Sequence, residues 1–497
     1  MVEKIKKDIV KTLIAITSVS LLCYMIGFMV WTVLYTETGN GDNVEHIHST
    51  WLISQGKIPY KDFFQHHNPL LWYIFAPLIG KITNQMLLLD LAHILGMLGG
   101  VLTLIFVYKI CIEFFASKLA SVLSILVLCP PYFYIYCFNY NPDTFMALFY
   151  AIGVYYLFLY WEKTKLNSLV ISFFSFFISF MFTQKILVVL FVLGMLSLFI
   201  FYKKKSSIGD ILYSLLLPIM GLTFFLAYLY SKGALGLYFE TNYLFNIEMQ
   251  EYYGNYKINV VDRDVLRFSL ALAIISILCF FVKSKIYFKI ISILFVFEIW
   301  QRYFYFAISP YYMLPLMIYT VCLNSVIIEK ILNFRKEISV LFLILASFYA
   351  VNSKEQYLKA RGYDRSFARY IANNVTPCDY VLSSFLGNQS IISKDPHYYW
   401  ALLGHIDVAG EKIGIYPKPD VTDIVLKYKP KLVYGGTYYD NYSKNRGYSI
   451  PIQKVDDKVL DKYYLPTPFK DFYLLKYEYH KKKCLYDEQK KEWLYAN

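Results

Sequence analysis

Long apolar stretches, separated by short polar segments, fill the chain up to about residue 352. A bilayer core about 30 Å thick is crossed by about 20 apolar residues at a helical rise of about 1.5 Å per residue. The pattern therefore predicts an all-α polytopic membrane module over residues 1–352 with about eleven transmembrane helices, near residues 10–35, 86–108, 119–137, 143–161, 166–182, 186–202, 210–230, 265–282, 287–306, 310–328 and 337–352.

The fifth and sixth of these stretches form one apolar run that is too long for a single helix in any bilayer. The tripeptide "TQK", from Thr183 to Lys185, interrupts this run. We therefore expect a helical hairpin with its tip at this tripeptide.

From residue 353 the chain becomes polar and is punctuated by proline and glycine. The segments "YVLSSF", "KLVYGG" and "FYLLKYE" predict strands, and "RSFARYIANN" and "VTDIVLKYK" predict helices. About 145 residues are enough to bury a core. Residues 353–497 are thus predicted to form a small α/β domain.

Two long loops interrupt the helical pattern, at residues 36–85 and 231–264. The first contains "PLLWYIFAPLIG", which is apolar but too short to cross a bilayer. It predicts a helix lying in the membrane interface, with Trp72 and Tyr73 as aromatic anchors. The segment 233–246 has similar character and the same prediction.

The composition supports a membrane protein. Hydrophobic residues make up 57% of the 497 residues and charged residues only 17%, and the net charge is +13. Lysine and arginine cluster in alternate short segments such as "EKIKKDIVK", "YKKKSS" and "EKILNFRK", whereas the two long loops carry only three each. This pattern places the N-terminus in the cytoplasm and residues 353–497 outside. The charge excess reflects topology, and no nucleic-acid partner is expected.

Cysteines are scattered, with no CxxC spacing. Six of the eight lie in or beside apolar stretches, where packing is the simplest explanation. Cys378 and Cys484 lie in the polar C-terminal part. They could form a disulfide if that part is extracytoplasmic.

Polar and ionisable side chains gather where this topology puts the outer ends of helices and the outer loops. Such groups are expensive at membrane depth and suggest function. Their common side predicts one extracytoplasmic site, for which the residues are Asp42, Glu45, His46, His66, His67, Asp90, His93, Asn139, Asn141, Asp143, Gln184, Lys185 and Arg302.

Asp42 follows the first predicted membrane helix. In "DNVE", Asp42 and Glu45 match a capping box, which would explain both acids structurally. A capped carboxylate is also rigidly aimed, so Asp42 could act as a general base on an acceptor hydroxyl. Glu45 and His46 follow at helical spacing on the same face and could support the acceptor.

Asp143 opens the fourth predicted membrane helix after "NYNP". One interpretation is a favourable charge at a helix N-terminus. The other pairs Asp143 with Asp42 across a site that holds the acceptor or a divalent cation, Mg²⁺ or Mn²⁺.

Three basic side chains could bind a donor phosphate: Lys185, Arg302 and His67. Each also has a structural explanation: Lys185 could extend its amine to the interface, and Arg302 could pair with Glu298 one turn earlier. His66 and His67 could simply be polar interfacial residues.

These segments resemble the GT-C superfamily of integral-membrane glycosyltransferases, above all the bacterial relatives of protein O-mannosyltransferases and the lipid A aminoarabinose transferases. "GDNVEHIHSTWLISQGKIPYKDFFQHHNPLLWY" resembles the first outer loop, with Asp42 on the catalytic acid and "HNPL" on the "Lys-Pro-Pro-Leu" motif. "NPDTFMALFY" resembles the second acidic motif, "MFTQKILVVL" the lysine motif, and "RYFYFAISPYYMLPLM" the late aromatic–proline segment, which contains Tyr312.

The resemblance implies transfer of a sugar from a polyprenyl-phosphate donor to an extracytoplasmic glycan, lipid or protein, with inversion at the sugar carbon. It places Asp42 and Asp143 in catalysis and in any metal site, Lys185, Arg302 and His67 on the donor phosphate, and Glu45, His46, His66 and Tyr312 in support. Two departures are visible: Asn43 stands where many relatives have a second acid, and His67 replaces a lysine.

A transporter or flippase of lipid-linked glycans is the main alternative, and a scaffold of a cell-envelope complex is another. A transporter typically has symmetric halves with glycine- or proline-broken helices and charges near the bilayer midplane. In this sequence the charges lie toward one face and no internal repeat is evident, so the pattern favours a transferase.

Overall fold

A computed structural model describes the greater part of the chain. The continuous ranges are 41–126, 139–204, 207–248, 286–305, 314–334, 365–383, 390–399, 420–436, 454–479, 483–487 and 492–495, together with single positions between them. The side chains of residues 41, 42 and 302–305 lie outside the described part.

Seven of the predicted membrane stretches are long helices in this structure. Their bounds are Gln85–Ile110, Pro142–Lys163, Leu166–Phe182, Leu187–Lys204, Ile208–Ser231, Ile286–Tyr305 and Leu314–Phe334. Within the described ranges, five helical segments are long and apolar enough to cross a membrane: Gln85–Phe115, Pro142–Lys163, Gln184–Lys203, Ile208–Ser231 and Leu314–Asn333.

The remaining membrane stretches are described only in part. Residues 118–126 are helical, which covers the first half of the stretch 119–137. The stretches predicted at 10–35, 265–282 and 337–352 lie mostly outside the described residues. The total of about eleven spans therefore stays a prediction.

The break predicted at "TQK" is present, and the hairpin itself stays a prediction. The helix Leu166–Phe182 ends at Thr183, whose backbone is extended, and a 3-10 turn over Gln184–Ile186 leads into the helix Leu187–Lys204. The extended backbone at Thr183 therefore ends one helix before the next begins.

Contacts between Cα atoms divide the chain into two compact units. The helical unit comprises 1–34, 93–223 and 256–360, and the loop-and-sheet unit comprises 35–92, 224–255 and 361–497. Most of both long outer loops thus belongs to the same unit as the polar C-terminal part. The predicted domain boundary at 352/353 stays a prediction.

Hydroxyl groups tie the described helices of the helical unit together. The hydroxyls of Tyr150 and Tyr319 lie 2.6 Å apart, and both side chains are fully buried. Ser172 and Ser179 donate to the backbone carbonyls of Gly153 and Met146, at 2.8 and 2.9 Å. Gly153 also lies against the ring of Phe176, where a Cβ would clash. Close packing and internal hydrogen bonds therefore hold the helices Pro142–Lys163 and Leu166–Phe182 together.

A four-stranded sheet forms the core of the C-terminal part. Its order is β1 (Val381–Leu382), β2 (Leu432–Tyr434), β4 (Phe472–Leu475) and β3 (Tyr464–Pro466). The β1–β2 pair is parallel, and the other pairs are antiparallel. The helices Ser366–Asn374, Val421–Tyr428 and Asp457–Tyr463 accompany it. The three predicted strands and two predicted helices are all present, and β3 and the helix Asp457–Tyr463 are additional.

The interfacial segment of the first loop is a ten-residue helix, Leu70–Ile79, as its pattern predicts. Trp72 is fully buried inside the loop-and-sheet unit, so its prediction as an exposed membrane anchor is wrong. Its indole stacks near the His46 ring at 6.0 Å. Tyr73 is half-buried, and its hydroxyl donates to that of Tyr228 at 3.2 Å. The Trp72 indole therefore packs inside its own unit beside the His46 ring and is not exposed at the surface.

The disulfide considered for the polar part is present. Cys378 and Cys484 are bonded, and they are 106 residues apart in the sequence. Cys484 begins β5 (Cys484–Asp487), which pairs with β6 (Glu492–Tyr495) in an antiparallel hairpin. The disulfide therefore fastens this hairpin to the segment that precedes β1.

Replacing both disulfide cysteines with serine should destabilise the C-terminal part. Closing a loop of about 100 residues restricts the unfolded chain, and losing such a bond costs about 2–5 kcal/mol in the free energy of unfolding. The measurement is thermal unfolding followed by intrinsic fluorescence. Cys23→Ser is the control, because Cys23 is an exposed free cysteine. An equal melting temperature for the double variant and the control would contradict this expectation.

Candidate active site

The helix Gly41–Ser54 carries most of the acidic and imidazole groups that sequence reasoning selects in the first loop. Asp42 lies in its first turn, as the N-terminal pattern predicts; the capping role of the Asp42 side chain is outside the described part. Glu45, His46 and His48 follow, and all three are buried. Asp42 therefore lies at the start of a helix that carries three buried titratable side chains in its following turns.

A tight turn positions His67. Tyr60 has a positive φ of 70°, which is unusual for a bulky residue. Its hydroxyl donates to the carbonyl of His67 at 2.7 Å, and its ring packs on Tyr238 at 5.3 Å between centroids. The Tyr238 hydroxyl donates to Asn68 at 2.9 Å. These hydrogen bonds hold the His67 carbonyl and the side chain of the next residue, Asn68.

His66 faces the second long loop. Its Nδ1 lies 2.9 Å from Oδ1 of Asn246, and Nδ2 of Asn246 donates to the His66 carbonyl at 3.0 Å. The rings of His66 and His67 lie 4.2 Å apart. His66 therefore holds the second long loop through Asn246. The ring of His67 lies beside that of His46 instead.

Glu45, His46 and His67 form one buried cluster. One ligand atom from each, a carboxylate oxygen or a ring nitrogen, lies within 4.8 Å of the others. The rings of His46 and His67 are 5.4 Å apart between centroids. Three residues predicted separately as supporting or phosphate-binding groups thus meet at one place.

The donor set of this cluster suits a divalent transition metal. Two imidazoles and a carboxylate are typical of Zn²⁺ and similar ions, whereas Mg²⁺ prefers oxygen ligands. Trp72 donates to His46 Nδ1 at 3.4 Å, a long and weak hydrogen bond. The residue types and their closeness are what fit a metal. Of the predicted metal ligands, Asp143 is not part of this set, and the Asp42 side chain lies outside the described part.

His48 makes an ion pair that sequence reasoning missed. Its Nε2 lies 2.9 Å from Asp395, and its Nδ1 lies 2.8 Å from the carbonyl oxygen of Ile391. Burial alone would lower the pKa of His48, but the charge and hydrogen bonds of Asp395 and Ile391 outweigh it and raise that pKa. Both ring nitrogens face acceptors, so the imidazolium is the form that fits.

Asp143 and Lys185 pair within the helical unit. Asn141 caps the helix Pro142–Lys163, with its side chain accepting from the Asp143 N–H at 3.0 Å. The Asp143 carboxylate is buried and lies 3.5 Å from Lys185 Nζ. The helix-terminus interpretation of Asp143 is compatible with this pair. Lys185 has an anionic neighbour that sequence reasoning did not assign to it.

Two further predicted residues are described less fully. Arg302 lies in the helix Ile286–Tyr305, and Glu298 of the same helix is buried, but the Arg302 side chain is outside the described part. Tyr312 lies outside the described residues. The roles expected for both stay predictions.

A family model matches part of the chain. Residues 67–230 match the family described as dolichyl-phosphate-mannose-protein mannosyltransferase, which is about a third of the chain. This family is of the GT-C class, so the resemblance predicted from the motifs is confirmed over these residues. No curated protein matches the chain.

Solved oligosaccharyltransferase structures from Archaeoglobus fulgidus show a distant similarity. The complex with Zn and sulfate is 14% identical, with a TM-score of 0.42. The alignment covers 72% of this chain and 54% of the chain in that structure. The archaeal oligosaccharyltransferase AglB in complex with an inhibitory peptide and a dolichol-phosphate is 13% identical, with a TM-score of 0.46. That alignment covers 86% of this chain and 69% of the AglB chain. The apo form is 14% identical, with a TM-score of 0.44, over 85% and 69%. The chain thus spans about half of the first of these proteins.

Asp395→Asn should destabilise the loop-and-sheet unit, because it leaves the buried His48 imidazolium without its anion. Removing one partner of a buried ion pair costs roughly 3 kcal/mol in the free energy of unfolding. Chemical denaturation followed by tryptophan fluorescence measures this loss. The matched control is Asp457→Asn, which removes an exposed pair with Lys454 and should change stability little. Equal effects of the two substitutions would contradict the assignment.

Proposed function

We propose that the protein is a membrane glycosyltransferase that moves a sugar from a polyprenyl-phosphate donor to an extracytoplasmic acceptor. The main support is the match of residues 67–230 to a family whose name specifies transfer from a dolichyl-phosphate sugar. The matched segment carries His67, Asp143 and Lys185. These side chains suit a reaction whose leaving group is a lipid phosphate.

The proposed reaction is a displacement at the anomeric carbon with inversion. Asp42 takes the proton of the acceptor hydroxyl, whose oxygen then forms the new bond to that carbon. The bond from carbon to phosphate oxygen breaks, and its electron pair leaves with the polyprenyl phosphate. Asp42 suits this role because it lies in the first turn of a helix that is otherwise firmly packed.

Lys185 is proposed to bind the donor phosphate. Its side chain is 24% exposed, and its Nζ lies 3.5 Å from the Asp143 carboxylate. Asp143 then acts by orienting this amine rather than by binding a metal. Arg302 keeps its proposed role on the phosphate, and Tyr312 and His66 keep theirs as supporting residues. His67 would act on the phosphate through the cation that it would hold with Glu45 and His46.

Glu45, His46 and His67 are proposed to hold any divalent cation that the protein uses. Such an ion would supply positive charge to stabilise the negative charge that develops on the leaving phosphate. The Glu45 carboxylate and the two imidazoles would hold it, and Tyr60 and Trp72 would steady His67 and His46.

The active face is proposed to be extracytoplasmic. The Cys378–Cys484 disulfide supports this orientation, because disulfides persist in oxidising compartments outside the cytoplasm. The alternation of lysine and arginine between loops predicts the same side. The protein would therefore be a multi-pass protein of the cell membrane with its C-terminal part outside.

A transporter or flippase of lipid-linked glycans remains the second candidate. It would handle the same donor without breaking the sugar–phosphate bond. The family match favours the transferase, because the matching description names a transfer reaction.

Asp42→Asn should abolish sugar transfer, because an amide cannot accept the hydroxyl proton. We expect a loss of at least 100-fold in rate, in line with general-base catalysis. The assay is radiolabel transfer from a polyprenyl-phosphate sugar to envelope extract by the purified protein. Product NMR would report the anomeric configuration.

The control for this experiment is Asp423→Asn, an exposed acid in the first turn of the helix Val421–Tyr428, which should transfer normally. The melting temperature of each variant checks its folding. Full activity of Asp42→Asn would exclude the general-base role. No transfer by the wild type, combined with donor movement across vesicles, would favour the flippase.

Glu45→Gln should lower the metal content of the purified protein. Losing the anionic ligand from a set of three weakens binding of a divalent cation by about 10-fold or more. Inductively coupled plasma mass spectrometry after dialysis against Zn²⁺ or Mn²⁺ measures bound metal per chain. Glu240→Gln is the control, since Glu240 lies in a separate helical segment. Equal metal content in wild type and Glu45→Gln would reject this site.

A further inference from the structure

A cavity of about 720 Å³ opens within the loop-and-sheet unit. This volume is in the range of about 300–1,000 Å³ that small-molecule sites occupy. The wall comes from the C-terminal end of the helix Gly41–Ser54, from the chain that follows it and from the segment 394–398, with further side chains from the sheet region. The described lining does not include the Glu45–His46–His67 cluster, so the cavity is separate from the candidate metal site.

Three lysines line this cavity, and they come from separate positions in the chain: Lys57, Lys61 and Lys394. The Lys61 amine is held by a 2.9 Å hydrogen bond to the Lys232 carbonyl. The backbone of Lys394 is fixed by a 2.7 Å hydrogen bond from its N–H to the carbonyl of Asp379. A lysine amine has donors and no acceptor, so this set of side chains suits an anion.

The two acids of the lining offset little of this positive charge. Both carboxylate oxygens of Asp395 lie near Nε2 of the buried His48 imidazolium, at 3.0 and 2.9 Å, so this pair is neutral. Asp62 is the other acid, and one of its oxygens accepts from the Ile58 N–H at 2.7 Å. The described lining thus has three lysine charges against the single charge of Asp62. A cleft with charge of one sign in excess concentrates ligands of the opposite sign.

His397 adds an N–H donor to the same lining. Its Nδ1 accepts from the Tyr399 N–H at 3.1 Å. Burial lowers the pKa of His397 to about 4, so the ring is neutral at pH 7 and its one proton is on Nε2. Donors of this kind, together with lysine amines, pair with carboxylate or phosphate oxygens.

Half-buried aromatic rings occupy another part of the wall: Tyr380, Tyr398, Tyr428 and Trp493. The hydroxyl of Tyr398 donates to the Tyr60 carbonyl at 2.7 Å, and the rings of Tyr380 and Tyr428 lie 5.0 Å apart. These contacts hold the rings in place within the protein. They therefore offer preformed flat surfaces to a ligand that has an apolar face.

We propose that this cavity binds an acidic saccharide, whose carboxylate or phosphate groups pair with Lys57, Lys61 and Lys394. The C–H face of its sugar ring packs on the aromatic side chains. A neutral glycan would leave the lysines without a partner from the ligand, and a free inorganic anion would leave the aromatic surface uncovered. An acidic saccharide uses both features of the wall.

The part of this ligand in the reaction rests on the proposed function, because it would be the acceptor of the transferred sugar. Binding in the cavity requires neither a donor nor a transfer. A protein that binds acidic saccharide in the cavity but transfers no sugar would refute the transferase and leave the cavity assignment intact. Sugar transfer without binding in the cavity would do the reverse.

Isothermal titration calorimetry on the full chain tests the proposal. The protein is purified in an uncharged detergent without a sugar headgroup, so that the detergent does not compete for the cavity. Two matched pairs of probes differ in charge: the α-1,4-linked tetramer of galacturonate against its methyl ester, and glucose 6-phosphate against glucose. Inorganic phosphate is the anion without a ring.

We expect at least one acidic saccharide to bind about tenfold tighter than its neutral counterpart and than inorganic phosphate, because it pairs with the lysines and covers the rings. Its affinity should fall about threefold or more when the salt concentration rises from about 0.05 M to about 0.5 M, since salt screens exposed charges.

Two substitutions locate the binding. Lys57→Gln and Lys394→Gln each remove one charge and keep a side chain of similar shape. Each should weaken binding of the acidic saccharide about threefold, and the pair about tenfold. Lys458→Gln is the matched control, because Lys458 is an exposed lysine of the same unit outside the described lining. Melting temperatures establish that all variants are folded.

The proposal is overturned by any of three results. The first is equal affinity for the acidic and neutral members of both pairs. The second is binding of inorganic phosphate as tight as that of the acidic saccharides, which would make this a site for free anions. The third is unchanged affinity in the double variant, or an equal loss in Lys458→Gln, because either would separate the binding from this cavity.

Discussion

The buried contact of His48 with Asp395 and Ile391 is the interaction on which the loop-and-sheet unit depends. The two side chains are 347 residues apart in the sequence, and the His48 side chain is fully buried. A charge in that position is tolerated only when its partners are close and well aligned. The contact fixes the helix Gly41–Ser54 against the segment 390–395.

A different constraint governs the described helices of the helical unit. Apolar surroundings offer no water to polar groups, so serine and tyrosine hydroxyls find partners on neighbouring helices. Asp143 follows the same rule: its carboxylate is buried and lies near the Lys185 amine. A side chain that sequence reasoning treats as catalytic thus also has a structural reason to be charged.

Much of the fold could be predicted because its signals are local. Apolar length identified the long helices, and the tripeptide from Thr183 to Lys185 marked the break between two of them. The hairpin β5–β6 and strand β3 were missed because each strand has only three or four residues, too few for an alternation to show. Trp72 was misassigned because a tryptophan at the membrane interface and one in a buried core look the same in the sequence.

The candidate site could be predicted only in part. His48 was missed because its partner lies far along the chain. Glu45, His46 and His67 were each selected, but only the turn at Tyr60 shows that they meet.

The helix Gly41–Ser54 explains why two kinds of chemistry can coexist in one small unit. Its N-terminal half carries Asp42, Glu45 and His46, which suit proton transfer and metal binding. Trp51 near its C-terminal end and Gln55 just beyond it line a cavity that also has several aromatic rings in its wall. A rise of about 1.5 Å per residue separates these two regions by a fixed distance. Asp395, the partner of His48, also lines that cavity, so one buried contact holds the middle of the helix between its two ends.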